Sequence, residues 1–441
     1  MRRLLTLLGL ATCLMMLALL PTAGSALAKA PHVDWTQLLT FDQQTTLLKD
    51  LHHAYPTTTK LFSIGRTWQE RNIWCLELSA PIAAARTRTG VALFGNIHGG
   101  EQQGGMGAAY TAWWLATQYG RDAKATKILS RYNVYIVPLI NPDGYNQSFI
   151  SSTRQNMRPT DRNGIAGPFS DPYTDTNGDG IIAQLYTGAA DATTPLPNSA
   201  RLGGITQYES PDWDQNGIFG DDPMASTVDM NRNFDYLWNY HDVTANPPLG
   251  QNAWTSAGPD AASEPEVQAV QNFLITHPVS ALTSLHTGEQ SVLWPWCYTH
   301  APTTNNAFMK AVSEKMAAAW SSTTGRGMYT MQSYDDYPTS AEVIDWAWGR
   351  LHIHAYTQEV YASGTGNYNW GDMTPPDQWI YIGDWQGQHN IWFRNTGSAQ
   401  LVGKAPLEQA KLVAGVKDSF VQMVFSEPSG AGSIVPSWII W

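Results

Sequence analysis

"GVALFGNIHGGE", residues 90–101, is the stretch whose reading decides the fold. Its first part is a continuous apolar run with no polar alternation, the pattern of a strand buried on both faces of a sheet. It ends in His98, two glycines and Glu101. An imidazole and a carboxylate three residues apart on one loop offer two donors to a metal such as zinc. Gly95, Gly99 and Gly100 let other backbone come close. Alone, His-x-x-Glu also fits a polar turn. The rest of the chain has to supply a third donor, a base and a group that holds substrate.

Outward from this run, strands and helices alternate. Residues 41–56, 106–119, 263–277, 306–322 and 406–425 carry apolar residues at helical spacing. The helix from Ser263 starts with a Ser-x-x-Glu capping box, Ser263 and Glu266. "TKLFSIG" and "NIWCLELSA" read as strands joined by a turn, and "NVYIVPLI" as a buried strand closed by the turn "NPDGY". "VSALTSLHT" and "LHIHAYTQEV" complete the strand set. This alternation predicts an α/β fold, a three-layer α/β/α sandwich with a mixed, mostly parallel central sheet. In such folds the site gathers at the carboxyl ends of strands. His98, His286 and Glu359 each fall at or just after one. Alternation in the last strand places Glu359 on the face of Leu351 and Ile353, a buried face.

The ends and the composition bound the setting. Arg2, Arg3, an apolar run to residue 20 and the A-x-A pattern in "SALAKA" predict a signal peptide over 1–28, hence a secreted or periplasmic protein. The catalytic domain is expected over 29–425 and a C-terminal tail over 426–441. The whole chain has 26 basic against 37 acidic residues, and loss of Arg2 and Arg3 makes the remainder more acidic still. That balance argues against nucleic acid or an anionic membrane as a partner. Two cysteines remain after the leader, Cys75 and Cys297, as a disulfide or two buried thiols. Residues 159–228, rich in Asp, Asn, Gly and Pro, read as an insertion of turns. Within it "DTNGDG" offers calcium (Ca2+) donors at Asp175, Asn177 and Asp179, and "DWDQNG" repeats the theme at Asp214 and Asn216. Neither completes a twelve-residue calcium loop, since Tyr186 stands where the last acid belongs.

Seven segments in order resemble the zinc carboxypeptidases of the carboxypeptidase A/B type. They are "SIGRTWQERNIWCLELS", "GNIHGGE", "LINPDGY", "VDMNRNF", "SLHTGEQSVLWPW", "YPTSAEVIDWAW" and "YTQEVY". The resemblance implies zinc (Zn2+) on His98, Glu101 and His286, with Glu359 as general base. It implies a carboxylate-holding set of Asn231, Arg232 and Tyr337, the last on a mobile loop. An arginine for the oxyanion comes from "STRQNMRPTDR", with Arg158 expected, Arg154 the alternative and Arg162 a third. The pocket for the terminal side chain is expected just before Asp345. Ile344 there suggests an apolar or aromatic preference, and Glu342 a basic one. The reaction implied is hydrolysis of C-terminal peptide bonds by a monomer that needs no inhibitory pro-domain. Cell-wall stem peptides are an alternative substrate, and a non-catalytic peptide- or glycan-binding protein, suggested by 19 tryptophans, a rival of another class.

Overall fold

The structure, a computed structural model, describes residues 30–149, 154–158, 228–240, 257–361 and 406–428, with further strands at 184–187, 205–208, 379–385 and 388–394. The chain begins α1 (Phe41–Ala54), β1 (Thr59–Arg66), β2 (Asn72–Leu78), β3 (Thr89–Gly95), α2 (Gln102–Gln118), α3 (Ala123–Arg131), β4 (Tyr132–Val137) and α4 (Pro142–Gln147). It continues β5 (Gln184–Thr187), β6 (Ile205–Tyr208), α5 (Pro265–Thr276), β7 (Val279–His286), β8 (Gln290–Trp294), α6 (Asn306–Thr324), β9 (Tyr329–Gln332) and α7 (Ser333–Asp336). It ends α8 (Val343–Leu351), β10 (His354–Val360), β11 (Trp379–Trp385), β12 (Gln388–Arg394) and α9 (Pro406–Ser426).

Eight strands form one sheet in the order β1-β2-β4-β3-β7-β10-β8-β9. Its centre, β4-β3-β7-β10, is parallel. The β1–β2 hairpin joins antiparallel on one side, and β8 antiparallel to β10 on the other. The sheet is therefore mixed and mostly parallel at its centre, as the alternation of elements predicts. Strand β3 shows why its sequence has no polar positions. Val91 and Leu93 pack into the apolar cluster that includes Leu115, Trp348 and Phe420, while Ala92 and Phe94 enter the opposite cluster with Phe273 and Trp346. A strand roofed on both faces has to be apolar at every position.

Helix α2 is buried almost throughout because α9 lies across it. At their crossing Gly107 leaves room for Val416, which would stand 2.7 Å from an added Cβ. Gly104 does the same toward the sheet, where an added Cβ would lie 2.8 Å from the Leu285 carbonyl oxygen.

The structure differs from the sequence reading at several elements. "NPDGY" is not only a turn. Asn141 caps it by accepting from the Gly144 amide at 2.8 Å, and α4 follows. The expected capping box is absent, because α5 begins at Pro265 after Glu264, and Glu266 instead accepts from the Trp68 amide. Leu351 closes α8, so the last strand of the main sheet begins only at His354. The 159–228 stretch is not turns throughout. It contributes β5 and β6 to a four-stranded antiparallel sheet completed by β11 and β12. The predicted signal peptide and most of the predicted tail lie outside the described residues. None of the described helices is long and apolar enough to cross a membrane.

A Gly104→Ala substitution forces α2 off β7. Equilibrium urea unfolding should show a loss of about 1–3 kcal/mol, the usual cost of overpacking.

Candidate active site

Strands β3 and β7 run parallel and end side by side, and β10 extends the row with Glu359 paired in register to His286. Topology alone thus brings His98, His286 and Glu359 to one edge. The loop after β3 is held open by Asn96, which adopts a positive φ of 56° and donates to the carbonyls of His98 and Gly99 at 2.9 Å each. Gly99 lies against the backbone of Gly144, where a Cβ would come within 2.5 Å of the carbonyl carbon. Only glycine fits that approach. The loop returns at Glu101, the residue before α2.

His98 Nδ1 lies 2.8 Å from Glu101 Oε1 and 3.2 Å from His286 Nδ1, and His286 Nδ1 lies 3.1 Å from Glu101 Oε2. These are the only three residues among those described whose donor atoms converge as a metal-binding group. Tetrahedral zinc bonds of about 2.0–2.3 Å separate neighbouring donors by about 3.3 Å, close to the observed spacing. Two imidazoles and one carboxylate are also a donor set that catalytic zinc takes, so the residues fit the ion. The outer nitrogen of each ring is engaged, His98 Nε2 by Asp229 at 3.0 Å and His286 Nε2 by Ser284 at 3.0 Å. Such outer contacts fix the orientation of a ligating imidazole.

Asp229 is the residue that the sequence reading missed. It is fully buried, touches His98, accepts from Arg154 Nε at 2.8 Å and accepts from the Asn231 amide at 3.0 Å. The signal lay two positions before the Asn-Arg pair, but a lone aspartate carries no spacing of its own. Burial opposes its charge, yet Arg154 and then His98 hold it well below the usual carboxylate range. Burial likewise opposes the charge of Glu101, and His98 and His286 hold it down.

Of the two arginines described, the alternative, Arg154, and not Arg158, lies beside the metal-binding group. Arg154 reaches the metal-binding group, 3.5 Å from Glu101 and paired to Asp229. Arg158 points elsewhere, to buried Glu264 at 2.7 Å and over the ring of Trp68. The cause is how the backbone is anchored along the segment. The Gly99 amide donates to the Arg154 carbonyl beside the His98 loop, while Asn156 exchanges two bonds with Val228 and donates to Glu264, which leads the chain on to Arg158 beside that acid. Arg162 lies outside the described residues, as do Asp175, Asn177, Asp179, Asp212, Asp214 and Asn216.

Arg232 is 2 % exposed. One arm donates to Glu342 Oε1 at 2.9 Å and the other to the Tyr337 hydroxyl at 3.2 Å. Asn231 Nδ2 also donates to Glu342, at 3.3 Å, while its Oδ1 accepts from the Val343 amide. Glu342 is buried and further accepts from Thr339, so it serves as counter-charge to Arg232 and is not an open acid awaiting a basic side chain. Ile344 is wholly buried in the apolar cluster with Met230 and Phe234, and presents no wall to solvent. Asp345 accepts from the Cys297 amide, and burial pushes its carboxyl up to about 7. Cys75 and Cys297 are both free and buried.

Glu359 follows Ala355 and Thr357 along one face of β10 and is partly buried. Its Oε2 is sealed from water with no hydrogen-bond partner. Burial, with Glu101 nearby, pushes the carboxyl well above its ordinary range. A carboxylate without a partner beside converging metal donors is poised to take a proton.

A family model described as zinc carboxypeptidase matches residues 45–381. The chain is 23% identical over 345 residues to mast cell carboxypeptidase A of Rattus norvegicus, covering 77% of this chain and 66% of that protein. It is 24% identical over 361 residues to zinc carboxypeptidase A 1 of Anopheles gambiae, covering 81% and 67%. The chain thus spans about two thirds of the length of these relatives. Among solved structures it is similar to carboxypeptidase A from Helicoverpa armigera, with a TM-score of 0.55 at 16% identity, covering 93% of this chain and 80% of that one. At that identity the likeness speaks for the fold alone.

Arg158→Ala removes one partner of the buried Glu264. Glu264 keeps Trp68 and Asn156 as donors. The loss in urea unfolding should therefore be about 2–4 kcal/mol, toward the low end for a broken buried pair.

Proposed function

The chain belongs to the zinc carboxypeptidase family, and on that premise we propose that it hydrolyses the last peptide bond of peptides with a free C-terminus. The observation that carries this reading is the convergence of His98, Glu101 and His286 at the sheet edge where Glu359, in register with His286, keeps a carboxyl oxygen unpartnered.

Each residue has a task set by its surroundings. His98, Glu101 and His286 hold zinc. When bound, the ion polarises the scissile carbonyl and makes water a stronger acid. Glu359 accepts the proton of the attacking water at its carboxylate and delivers it to the leaving amine. Arg154 presents its guanidinium to the oxygen that gains charge in the transition state. Arg232 grips the terminal carboxylate, helped by the Asn231 amide and the Tyr337 hydroxyl. A guanidinium does this with paired, charge-assisted hydrogen bonds. Glu342 keeps Arg232 in place and offsets its charge while the site is empty. Tyr337 is 41 % exposed although its hydroxyl accepts from buried Arg232, and its ring can cover an arriving substrate. On this reading the leader over 1–28 takes the protein out of the cytoplasm, and it acts beyond the membrane as a monomer.

A panel of peptides ending in Phe, Leu, Lys, Arg or D-Ala, free or amidated, tests the reading by mass spectrometry with and without a zinc chelator. Stepwise loss of single residues from free C-termini, stopped by chelation, is the expected result. Release from muropeptides alone would move the substrate to the cell wall. Binding without turnover by the zinc-loaded protein would overturn the peptidase reading. Glu359→Gln should bind peptide normally and lose kcat by about 10^2–10^4-fold, the range for general-base catalysis. Arg232→Ala should lower kcat/KM far more for free than for amidated termini.

A further inference from the structure

The Glu342 carboxylate is bound as a peptide's terminal carboxylate would be. Its Oε1 accepts from Arg232 Nη1 at 2.9 Å, and its Oε2 accepts from Asn231 Nδ2 at 3.3 Å. A guanidinium beside an amide is a natural seat for a carboxylate. Here the occupant comes from the protein's own chain. Glu342, Arg232 and Asn231 are all buried. The backbone delivers the acid to this place from both sides. Ala341, just before it, turns through a positive φ of 57°, a conformation that alanine disfavours, and its carbonyl accepts from the Phe234 amide at 3.1 Å. Just after it, the Val343 amide donates to Asn231 Oδ1 at 3.0 Å. The segment that carries Asn231 and Arg232 therefore also positions Glu342. Thr339, two residues beyond Tyr337, donates its hydroxyl to Glu342 Oε1 at 2.5 Å.

We propose that Glu342 is an internal competitor for the groups that hold the terminal carboxylate, and so a specificity-determining residue. It weakens the grip on a free C-terminus and narrows the preference for free over amidated peptides. The inference rests on reading Asn231 and Arg232 as the holders of that carboxylate. Its physical basis is charge. A guanidinium already paired with an anion has little attraction left for a second one. An arriving carboxylate has to take these N–H groups from Glu342 or share them with it, and either way two like charges meet away from water. A C-terminal carboxamide carries no charge and escapes that repulsion, and its NH2 group can donate to the Glu342 carboxylate. A competitor and a mere support for Arg232 differ in sign. Removing a support weakens the hold on a free terminus, whereas removing a competitor strengthens it.

The test uses two variants. Glu342→Gln keeps the shape and an oxygen acceptor for Arg232 but removes the charge. Thr339→Val keeps the charge but removes a donor that holds Glu342 in its seat. Binding of one peptide with a free C-terminus, and of the same peptide amidated, is measured by calorimetry in zinc-loaded protein carrying Glu359→Gln, so that turnover does not interfere. KM and kcat are measured in parallel with Glu359 intact. Glu342→Gln should bind the free peptide about ten- to hundredfold tighter, the worth of one charge-assisted hydrogen bond. It should bind the amidated peptide no tighter than before. KM for the free peptide should fall and kcat should change less. Thr339→Val should shift the free-to-amidated ratio the same way by a smaller factor. Unchanged or weaker binding of the free peptide by Glu342→Gln would overturn the competitor, as would equal tightening of both peptides. If Glu342→Gln fails to fold, Thr339→Val decides, and a ratio that stays level or falls overturns the proposal. Arg232→Ala in the same assay separates the two readings. Undiminished binding of the free peptide there would remove Arg232 as the holder, and the competitor with it. Loss of binding there without tightening in Glu342→Gln would remove the competitor alone.

Discussion

Burial of opposite charges at a single sheet edge is the constraint on which the rest of this molecule depends. Glu101, Asp229, His98, His286 and Arg154 lie mostly out of water, where an isolated charge is very costly. They are tolerable only as a set, each holding its neighbour's charge. The surrounding loops follow from that need. Residues 154–158 run between the His98 loop and Val228, with Arg154 meeting Asp229 and Arg158 meeting Glu264. Asn156, between them, bonds Glu264 and Glu266 and fixes the chain that carries Asp229. The second arginine site repeats the principle, with Glu342 as the fixed partner of Arg232.

The fold was legible wherever burial dictates residue type. Strand β3 has to be apolar at each position because helices cover both of its faces, and its sequence shows this directly. The same holds for β4 and β7, and for α6 and α9 with their helical spacing. Legibility failed where partners come from distant sequence. Glu266 fits a capping box locally, but the amide of Trp68, 198 residues away, takes its carboxylate instead. Strands β8 and β9 are short, and their apolar runs merge with aromatic loop residues. Of the strands within 159–208, β6 pairs with β5, and β5 pairs in turn with residues beyond 378, which no local pattern reports.

The site divides in the same way. His98, Glu101, His286 and Glu359 stand at strand ends, so topology brings them together, and motif spacing points to them. Arg154 and Arg158 are alike in sequence, and only the anchoring of the chain between them, at Gly99, Val228 and Glu264, separates their targets. Glu342 looks like an acid free to meet a substrate, yet it is committed to Arg232. Charge pairing across 110 residues leaves no trace in either local stretch.

The four-stranded antiparallel sheet also bears on how the chain is made. Thr187 on β5 is paired with Ile391 on β12, about 200 residues later. A ribosome, or a translocation channel, delivers β5 and β6 long before β12, the strand that pairs on the other side of β5, exists. The Asp- and Asn-rich stretch around them is well suited to that interval, since polar chain waits in water without seeking apolar contacts. The eight-stranded sheet completes its last strand at residue 360, before β11 emerges. Synthesis therefore favours an order in which the strands of the main sheet pair first, the smaller sheet is completed next, and α9 closes the core over α2 last.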